Sequence, residues 1–213
     1  MFLKIKNKKQ WFKHKKGGMT YVELIVVLSI FSVMSTIILT NYGAFQAKVD
    51  IKNLANDIAL KIVEAQKSAM SGKYQVNAPV GWKPAYGLYF NASTSYTASG
   101  LKTFYYFTDL DQNNDYQTAS ICPNGGECIE KIDITKGNFI SRIFPCTGDP
   151  CVPGEFSGST LAITFKRPDS SAVFYSGGGL VSGYDYMQMT VSSPHSTATA
   201  KIKIYPSGRI QIN

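Results

Sequence analysis

An α+β fold is what the sequence predicts, with one long N-terminal helix packed on an antiparallel β-sheet head. Three observations along the 213 residues support it. An apolar stretch follows a basic N-terminus, a stretch with helical periodicity follows that, and short β-type runs fill the remainder. The predicted division is a basic segment at 1–18, an apolar half of the helix at 19–43, an amphipathic half at 44–72 and a β-rich head at 73–213.

The N-terminal segment carries the basic character of the chain. The sequence has 22 Lys and Arg against 14 Asp and Glu, a formal charge of +8 that would suit a nucleic-acid-binding protein. Seven of those lysines precede residue 19, where no acid is found. The excess positive charge therefore belongs to a short tail, and the rest of the chain is close to neutral.

The apolar stretch from Met19 to Thr40 has the length of a membrane span. Its one side chain that is charged at neutral pH is Glu23. At 1.5 Å per residue such a helix is about 33 Å long, enough to cross the hydrocarbon core of a bilayer. Because the lysines precede it, we expect the N-terminus in the cytoplasm and the head outside. A plain single-pass anchor is the simple alternative, and the stretch is long for a cleaved secretory signal.

Residues 44–71 are predicted to continue the helix as an amphipathic segment. They contain no Pro or Gly, and their apolar side chains recur mostly at steps of three and four, within about 100° of arc. Gly72 is the predicted stop, and Gly43 is a predicted point of bending. The apolar face needs a partner surface, which we expect to be the sheet. It comprises Ala47, Ile51, Leu54, Ala55, Ile58, Ile62, Ala65 and Ala69.

Nine short runs beyond residue 72 are typical of β-strands. They are apolar or alternate between apolar and polar side chains, and turn signals such as Gly177-Gly178-Gly179 and Pro206-Ser207-Gly208 separate them. The runs are 86–90, 102–108, 128–134, 139–144, 161–165, 172–175, 186–191, 198–205 and 209–212.

The junction between the basic and apolar segments reads Lys15-Lys16-Gly17-Gly18-Met19-Thr20-Tyr21-Val22-Glu23-Leu24. It resembles the prepilin processing site of the type IV pilin and type II secretion pseudopilin superfamily. In that pattern a basic leader ends in Gly, here Gly18, and an apolar helix follows with Glu as its fifth residue, here Glu23. The resemblance implies cleavage by a prepilin peptidase between Gly18 and Met19, N-methylation of Met19, and a role for Glu23 in assembly. Family members often carry a Pro near the end of the membrane half, where Thr40 stands here.

Three segments of the head, 86–90, 161–168 and 201–210, resemble the GspH/FimT group of minor pilins. The resemblance implies a minor pilin or pseudopilin, inserted as a single-pass plasma-membrane protein and then assembled with other subunits into an extracytoplasmic filament. That filament would be of the type IV pilus or type II secretion kind. Two alternatives are a DNA-binding minor pilin that serves DNA uptake and a membrane-anchored surface protein that is not a filament subunit.

The four cysteines lie in the head as two local pairs, Cys122 with Cys128 and Cys146 with Cys151. We expect the head to lie outside the cytoplasmic membrane, where disulfides persist. Two local disulfides are therefore favoured. A four-Cys zinc site is the alternative, although its usual pairs are separated by two residues. A crossed connectivity stays open at this point.

Asp109, Asp111, Asn113 and Asp115 place oxygen ligands at alternate positions, as in the first half of a calcium loop. The Gly expected at the sixth position of such a loop and the Glu expected at the twelfth are both missing. A structural calcium ion is one interpretation. The other is a polar turn whose side chains cap their own backbone.

The C-terminal segment predicts a hairpin with a basic face. Lys201, Lys203 and Arg209 alternate with apolar residues, so a hairpin would put all three on one exposed face. Some relatives in the GspH/FimT group bind DNA through a Gly-Arg-x-Arg ending, but here the second Arg is replaced by Gln211. Three phosphate contacts would give weak, salt-dependent binding. The alternative is a solvated edge whose lysines discourage aggregation.

The sequence carries no pattern typical of catalysis. Its two histidines, His14 and His195, belong to no Ser/His/Asp or Cys/His motif, and no glycine-rich phosphate loop follows a strand. We therefore expect a protein that is not an enzyme and that has no cofactor beyond the calcium ion considered above.

Overall fold

The computed structural model describes residues 18–91, 100–117, 122–123, 126–153, 160–194 and 196–213. The chain divides into two compact units, with the boundary between Gly43 and Ala44. Of the segment predicted at 1–18, only Gly18 is among the described residues.

A single helix, α1 (Tyr21–Ser71), includes both halves predicted from the sequence. It ends at Gly72, whose φ of +66° lies in the left-handed region that glycine adopts at little cost. The N–H of Gly72 donates to the carbonyl of Ala69 at 3.1 Å. The N–H of Lys73 donates to the carbonyl of Ser68 at 3.1 Å, which completes a Schellman cap. The predicted stop at Gly72 is therefore confirmed.

The head is built from antiparallel strands, which confirms the α+β class. These strands form two sheets, whereas the sequence predicted a single sheet. One sheet has six strands in the order β3-β2-β1-β6-β7-β8, and the other has five in the order β11-β10-β9-β4-β5, counted over the described residues. The strands are β1 (Ala85–Phe90), β2 (Thr103–Thr108), β3 (Cys128–Asp133), β4 (Phe139–Thr147), β5 (Val152–Pro153), β6 (Leu161–Lys166), β7 (Ala172–Ser176), β8 (Gly179–Leu180), β9 (Tyr186–Ser192), β10 (Thr199–Ile204) and β11 (Ile210–Ile212).

The amphipathic half of α1 and both sheets share one hydrophobic core. On the helix, Ile58 and Ile62 are fully buried. They belong to the same cluster as Ile163 of the six-stranded sheet and Met189 of the five-stranded sheet. Burying one such side chain is worth about 1.5–3 kcal/mol, so this face holds the second half of the helix on the head.

Polar contacts fix how this half of the helix sits on the head. The hydroxyl of Tyr106 donates to Ser68 Oγ at 3.0 Å within the core. Near the C-terminal end of the helix, Gln66 Nε2 donates to the carbonyl of Ser170 at 2.8 Å. Gly208, at φ +80°, packs so closely there that an added Cβ would overlap the carbonyl oxygen of Ser170. The turn before β11 therefore requires glycine.

The cysteines are joined within each local pair and not across the pairs. Cys122 pairs with Cys128 at a Cα–Cα distance of 5.5 Å. Cys146 pairs with Cys151 at 5.1 Å, across the turn between β4 and β5. All four sulfur atoms are used in this way, which leaves no thiolate for the zinc site considered from the sequence.

Candidate functional site

The first helical turn of α1 is closed by a capping box. Thr20 is the N-cap, and the N–H of Glu23 donates to Thr20 Oγ1 at 3.3 Å. In return, Glu23 Oε2 accepts the backbone N–H of Thr20 at 2.8 Å and its hydroxyl at 2.9 Å. The pair satisfies two backbone donors that a helix start otherwise leaves open. Glu23 therefore has a local structural role within its own chain, in addition to any role between subunits.

Gly18 and Met19 lie just before this cap, outside the helix, and both are exposed. Among the described residues, and leaving aside its chain neighbours, no atom lies within 4 Å of the position that a Cβ on Gly18 would take. The peptide bond between Gly18 and Met19 precedes the helix.

The half of α1 before Gly43 presents apolar side chains to its surroundings on all sides. Its large apolar residues are exposed, for example Leu28 at 56% and Ile38 at 66%. In the described part of the chain, α1 is the one helix long and apolar enough to cross a membrane, with a mean hydropathy of 2.5 in its most apolar window. A continuous exposed apolar surface of this kind marks a contact with lipid or with other proteins.

The predicted basic face of the C-terminal hairpin is wrong at Lys203. β10 and β11 do pair, but Lys203 is only 5% exposed and its Nζ donates to Asp149 at 3.0 Å. That hydrogen bond raises the pKa of Lys203. Its Nζ also lies 4.7 Å from the ring centroid of Tyr186. The alternation along β10 does point Lys203 away from the core, but the loop that carries Asp149 covers it.

Two bases of the predicted DNA-binding face remain exposed, Lys201 and Arg209. The guanidinium carbon of Arg209 lies 3.9 Å from the ring centroid of Tyr205, so the side chain is stacked on its own hairpin. Two exposed bases are fewer than the three phosphate contacts on which the DNA hypothesis depended, and the geometry does not favour it.

The loop after β2 is organised by the acidic and amide side chains noted in the sequence. Asp111 Oδ1 accepts the N–H of Asn113 at 3.2 Å, and Asn113 Oδ1 accepts the N–H of Asp115 at 2.7 Å. Asp115 Oδ1 in turn accepts the N–H of Tyr116 at 2.8 Å. The side chains of Asn113 and Asp115 thus cap their own backbone, as the polar-turn interpretation predicts.

Asp109 and Asp111 are brought together with a third carboxylate that the sequence analysis did not single out, that of Glu127. Oxygen atoms of the three residues all lie within 4.8 Å of one another. Glu127 is distant in sequence from Asp109 and Asp111 and directly precedes Cys128 of the first disulfide. The pairing of β2 with β3 brings it back to the start of the loop, a long-range contact that local spacing does not reveal.

One of three comparisons with known proteins finds a similar protein. No family model matches the chain, and no solved structure matches it significantly. The chain is similar to a fimbrial protein of Pseudomonas aeruginosa, with 22% identity over 129 residues. The match covers 61% of this chain and 83% of that protein. Together with the long N-terminal helix and the β-rich head, the similarity is consistent with a pilin-type protein that has a membrane-anchoring helix.

Proposed function

We propose that this chain is a minor pilin or pseudopilin. It is made as a single-pass membrane protein, cut by a prepilin peptidase between Gly18 and Met19, and assembled with other pilin-type subunits into a type IV pilus-like or type II secretion filament. The observation that carries the proposal is the apolar first half of α1, which begins at Tyr21, shortly after the Gly18–Met19 bond, and whose large apolar side chains are exposed. The similarity to a fimbrial protein supports the same conclusion.

Cleavage at this bond would change how the helix is held in the membrane. The leader contains seven lysines, which keep it in the cytoplasm. Removing it leaves the helix with a free amine on Met19 as its only new charge. An apolar helix with so little charge at its N-terminus can then leave the bilayer for a filament core, where the helices of other subunits replace the lipid.

Glu23 would guide this transfer through its charge. A carboxylate inside an apolar environment is unfavourable unless it is paired. In a filament the amine of Met19 on a neighbouring subunit supplies the opposite charge, and the attraction is strong at low dielectric. The capping box uses Oε2 of Glu23, so the carboxylate is already held at the end of the helix where that amine would arrive.

The proposed role is structural and involves no turnover. Similarity to a fimbrial protein suggests a structural protein. Two features of the described residues support a structural role: the exposed apolar side chains of the first half of α1, and a head that contains two disulfides. We place the head outside the plasma membrane, where such disulfides are maintained.

Mass spectrometry of the N-terminal peptide tests the processing step. We expect the chain purified from membranes to begin at Met19 and to carry a methyl group on its amine. A Gly18→Leu variant should remain uncut, because the bulky side chain stands at the bond to be cleaved. The matched control is Gly43→Leu, the same substitution at an exposed glycine inside α1, and it should be processed normally.

Recovery of wild-type chain beginning at Met1, from cells with an active prepilin peptidase, would contradict the proposal. That result would favour the membrane-anchored surface protein, which needs no cleavage. Normal processing of Gly18→Leu would contradict the assignment of the cleaved bond.

A further inference from the structure

The carboxylates of Asp109, Asp111 and Glu127 form a compact cluster at one end of the six-stranded sheet. Asp109 follows β2 directly, and Glu127 directly precedes β3. One carboxylate oxygen of each residue lies within 4.8 Å of one oxygen of each of the other two. Calcium binds oxygen at 2.3–2.6 Å, so two ligands of one ion can be no more than about twice that distance apart. The spacing of the cluster therefore fits a single calcium ion.

One oxygen of this cluster is buried without a partner. Asp109 is only 1% exposed, and its Oδ1 accepts no hydrogen bond from any described residue. Its other oxygen, Oδ2, accepts the N–H of Asn114 at 3.1 Å. A buried carboxylate oxygen without a donor or a cation is strongly unfavourable, and such an atom in a folded protein calls for an explanation.

The protein holds the cluster in place with backbone donors. Glu127 Oε1 accepts the N–H of Leu110 at 2.9 Å, and Oε2 accepts the N–H of Gln117 at 2.8 Å. Each of these oxygens keeps a second lone pair. The loop reaches this arrangement through left-handed backbone at Gln112, with φ +63°, and at Asn114, with φ +64°. Left-handed backbone is uncommon outside glycine, and its two occurrences in three residues bend the loop sharply.

The charge of the cluster is not balanced by the protein. Over the described residues, no Lys or Arg forms an ion pair with any of the three carboxylates. The nearby Lys166 donates instead to the side-chain oxygen of Gln112 at 3.0 Å. Burial raises the pKa of Asp109 and of Glu127, since the charged form is disfavoured away from water. A divalent cation between the three carboxylates would supply the positive charge that the described Lys and Arg side chains do not.

We propose that Asp109, Asp111 and Glu127 bind a calcium ion that closes the loop between β2 and β3. This ligand set differs from the one suggested by the sequence: the carboxylates that lie together are those of Asp109, Asp111 and Glu127, and Asp115 is not among them. The side-chain oxygen of Asn113 accepts the N–H of Asp115. The ion would connect the two ends of the loop, next to the disulfide that joins Cys128 to Cys122. The site does not depend on the proposed filament function.

Calorimetric titration of the full-length chain in detergent, after removal of divalent ions by a chelator, tests the site. We expect saturable binding of one Ca²⁺ per chain at pH 7, with affinity in the range of extracellular calcium modules, about 10⁻⁴–10⁻³ M. The melting temperature should rise by several degrees with Ca²⁺ and fall again when the chelator is restored.

Four Asp or Glu substitutions locate the ion. Asp111→Asn should weaken binding at least about tenfold, since even indirect metal contacts are worth 10–100-fold in affinity. Asp111 is exposed, and Asn keeps the oxygen that accepts the N–H of Asn113, so this variant should fold. Glu127→Gln should lose binding as well. Asp115→Asn and the exposed Asp169→Asn should bind as the wild type does.

Absence of saturable Ca²⁺ binding and of any thermal shift in the wild type would overturn the proposal, and protons would then neutralise the cluster. Unchanged binding in Asp111→Asn would also overturn it. Loss of binding in Asp115→Asn together with normal binding in Glu127→Gln would favour the ligand set suggested by the sequence over the one proposed here.

Discussion

The two halves of α1 have similar apolar side chains and opposite surroundings. In the second half Ile58 is fully buried against the head, whereas in the first half Ile38 is 66% exposed. Both halves are helical, so the helix itself does not depend on burial within the chain. The second half is packed on its own head, whereas the first half leaves its large apolar side chains exposed.

The distribution of apolar residues explains this difference. In the second half they follow one stripe, and polar side chains such as Lys52, Asn56 and Lys67 occupy the other side. In the first half they surround the helix. Such a helix satisfies its backbone hydrogen bonds internally and needs an apolar environment on every side, which a bilayer or a bundle of similar helices provides.

The largest expected effect comes from comparing equal truncations in the two halves. Ile62→Ala removes a fully buried side chain and should lower the free energy of unfolding of the head by about 2–5 kcal/mol. Ile30→Ala removes an exposed one and should change it by less than about 0.5 kcal/mol. Chemical denaturation of the detergent-purified chain, followed by near-ultraviolet circular dichroism, measures both. Equal losses in the two variants would contradict the conclusion that only the second half is packed on the head.

Substituting one glycine in the head and one in α1 should give a smaller difference in stability between the two regions. Gly208→Ala forces a Cβ onto the carbonyl of Ser170 at a left-handed position and should lower the stability of the head by about 1–3 kcal/mol. Gly43→Ala meets no atom within 4 Å inside α1 and should strengthen the helix by up to about 1 kcal/mol. Thermal unfolding monitored in the head separates the two. A loss of stability in Gly43→Ala as large as that in Gly208→Ala would contradict the open surroundings of Gly43.

The smallest effect is expected from the charges that join the second half to the head. Lys61 Nζ lies 2.8 Å from Glu130 Oε2 on β3, in an exposed pair. Glu130→Gln should lower the free energy of unfolding by no more than about 1 kcal/mol, and the difference should shrink in high salt. Denaturation at two salt concentrations tests this. A larger, salt-independent loss would mean that the docking depends on polar contacts more than on the apolar face.

Most elements of the fold could be predicted from the sequence because they have a local pattern. Apolar periodicity and a single glycine defined α1 and its end at Gly72, and all nine predicted runs became strands. Two strands of two residues each, β5 and β8, were missed because so short a segment carries no pattern. The division into two sheets was also missed, since it is set by pairing between strands distant in sequence.

The candidate sites could be predicted only where neighbours in sequence make them. The Gly18–Met19 junction and Glu23 are recognised from consecutive residues. The sequence analysis did not predict the hydrogen bonds between Thr20 and Glu23 in the same motif. Lys203 is covered by a loop that is distant in sequence, and Glu127 reaches Asp109 through the pairing of β2 with β3. Both contacts are set by the tertiary structure. No spacing rule along the chain contains that information.

We propose that other subunits cover the first half of α1 and that the charge of Glu23 directs their docking. The most direct test is the ratio of filament-associated to membrane-associated chain, measured by quantitative immunoblotting. Glu23→Gln removes the charge but can still cap the helix, since Gln also serves in capping boxes. Thr20→Ala removes the hydroxyl that caps the N–H of Glu23 and keeps the charge of Glu23. Glu64→Gln removes the same charge from a partly exposed position in the second half, where Glu64 pairs with Lys61 at 3.1 Å.

We expect Glu23→Gln to be cleaved normally and to enter filaments about tenfold less than the wild type, because an ion pair at low dielectric shifts an equilibrium by at least that order. Thr20→Ala and Glu64→Gln should be incorporated nearly as well as the wild type. Normal incorporation of Glu23→Gln, or an equal defect in Thr20→Ala, would contradict the claim and leave Glu23 with its capping role alone.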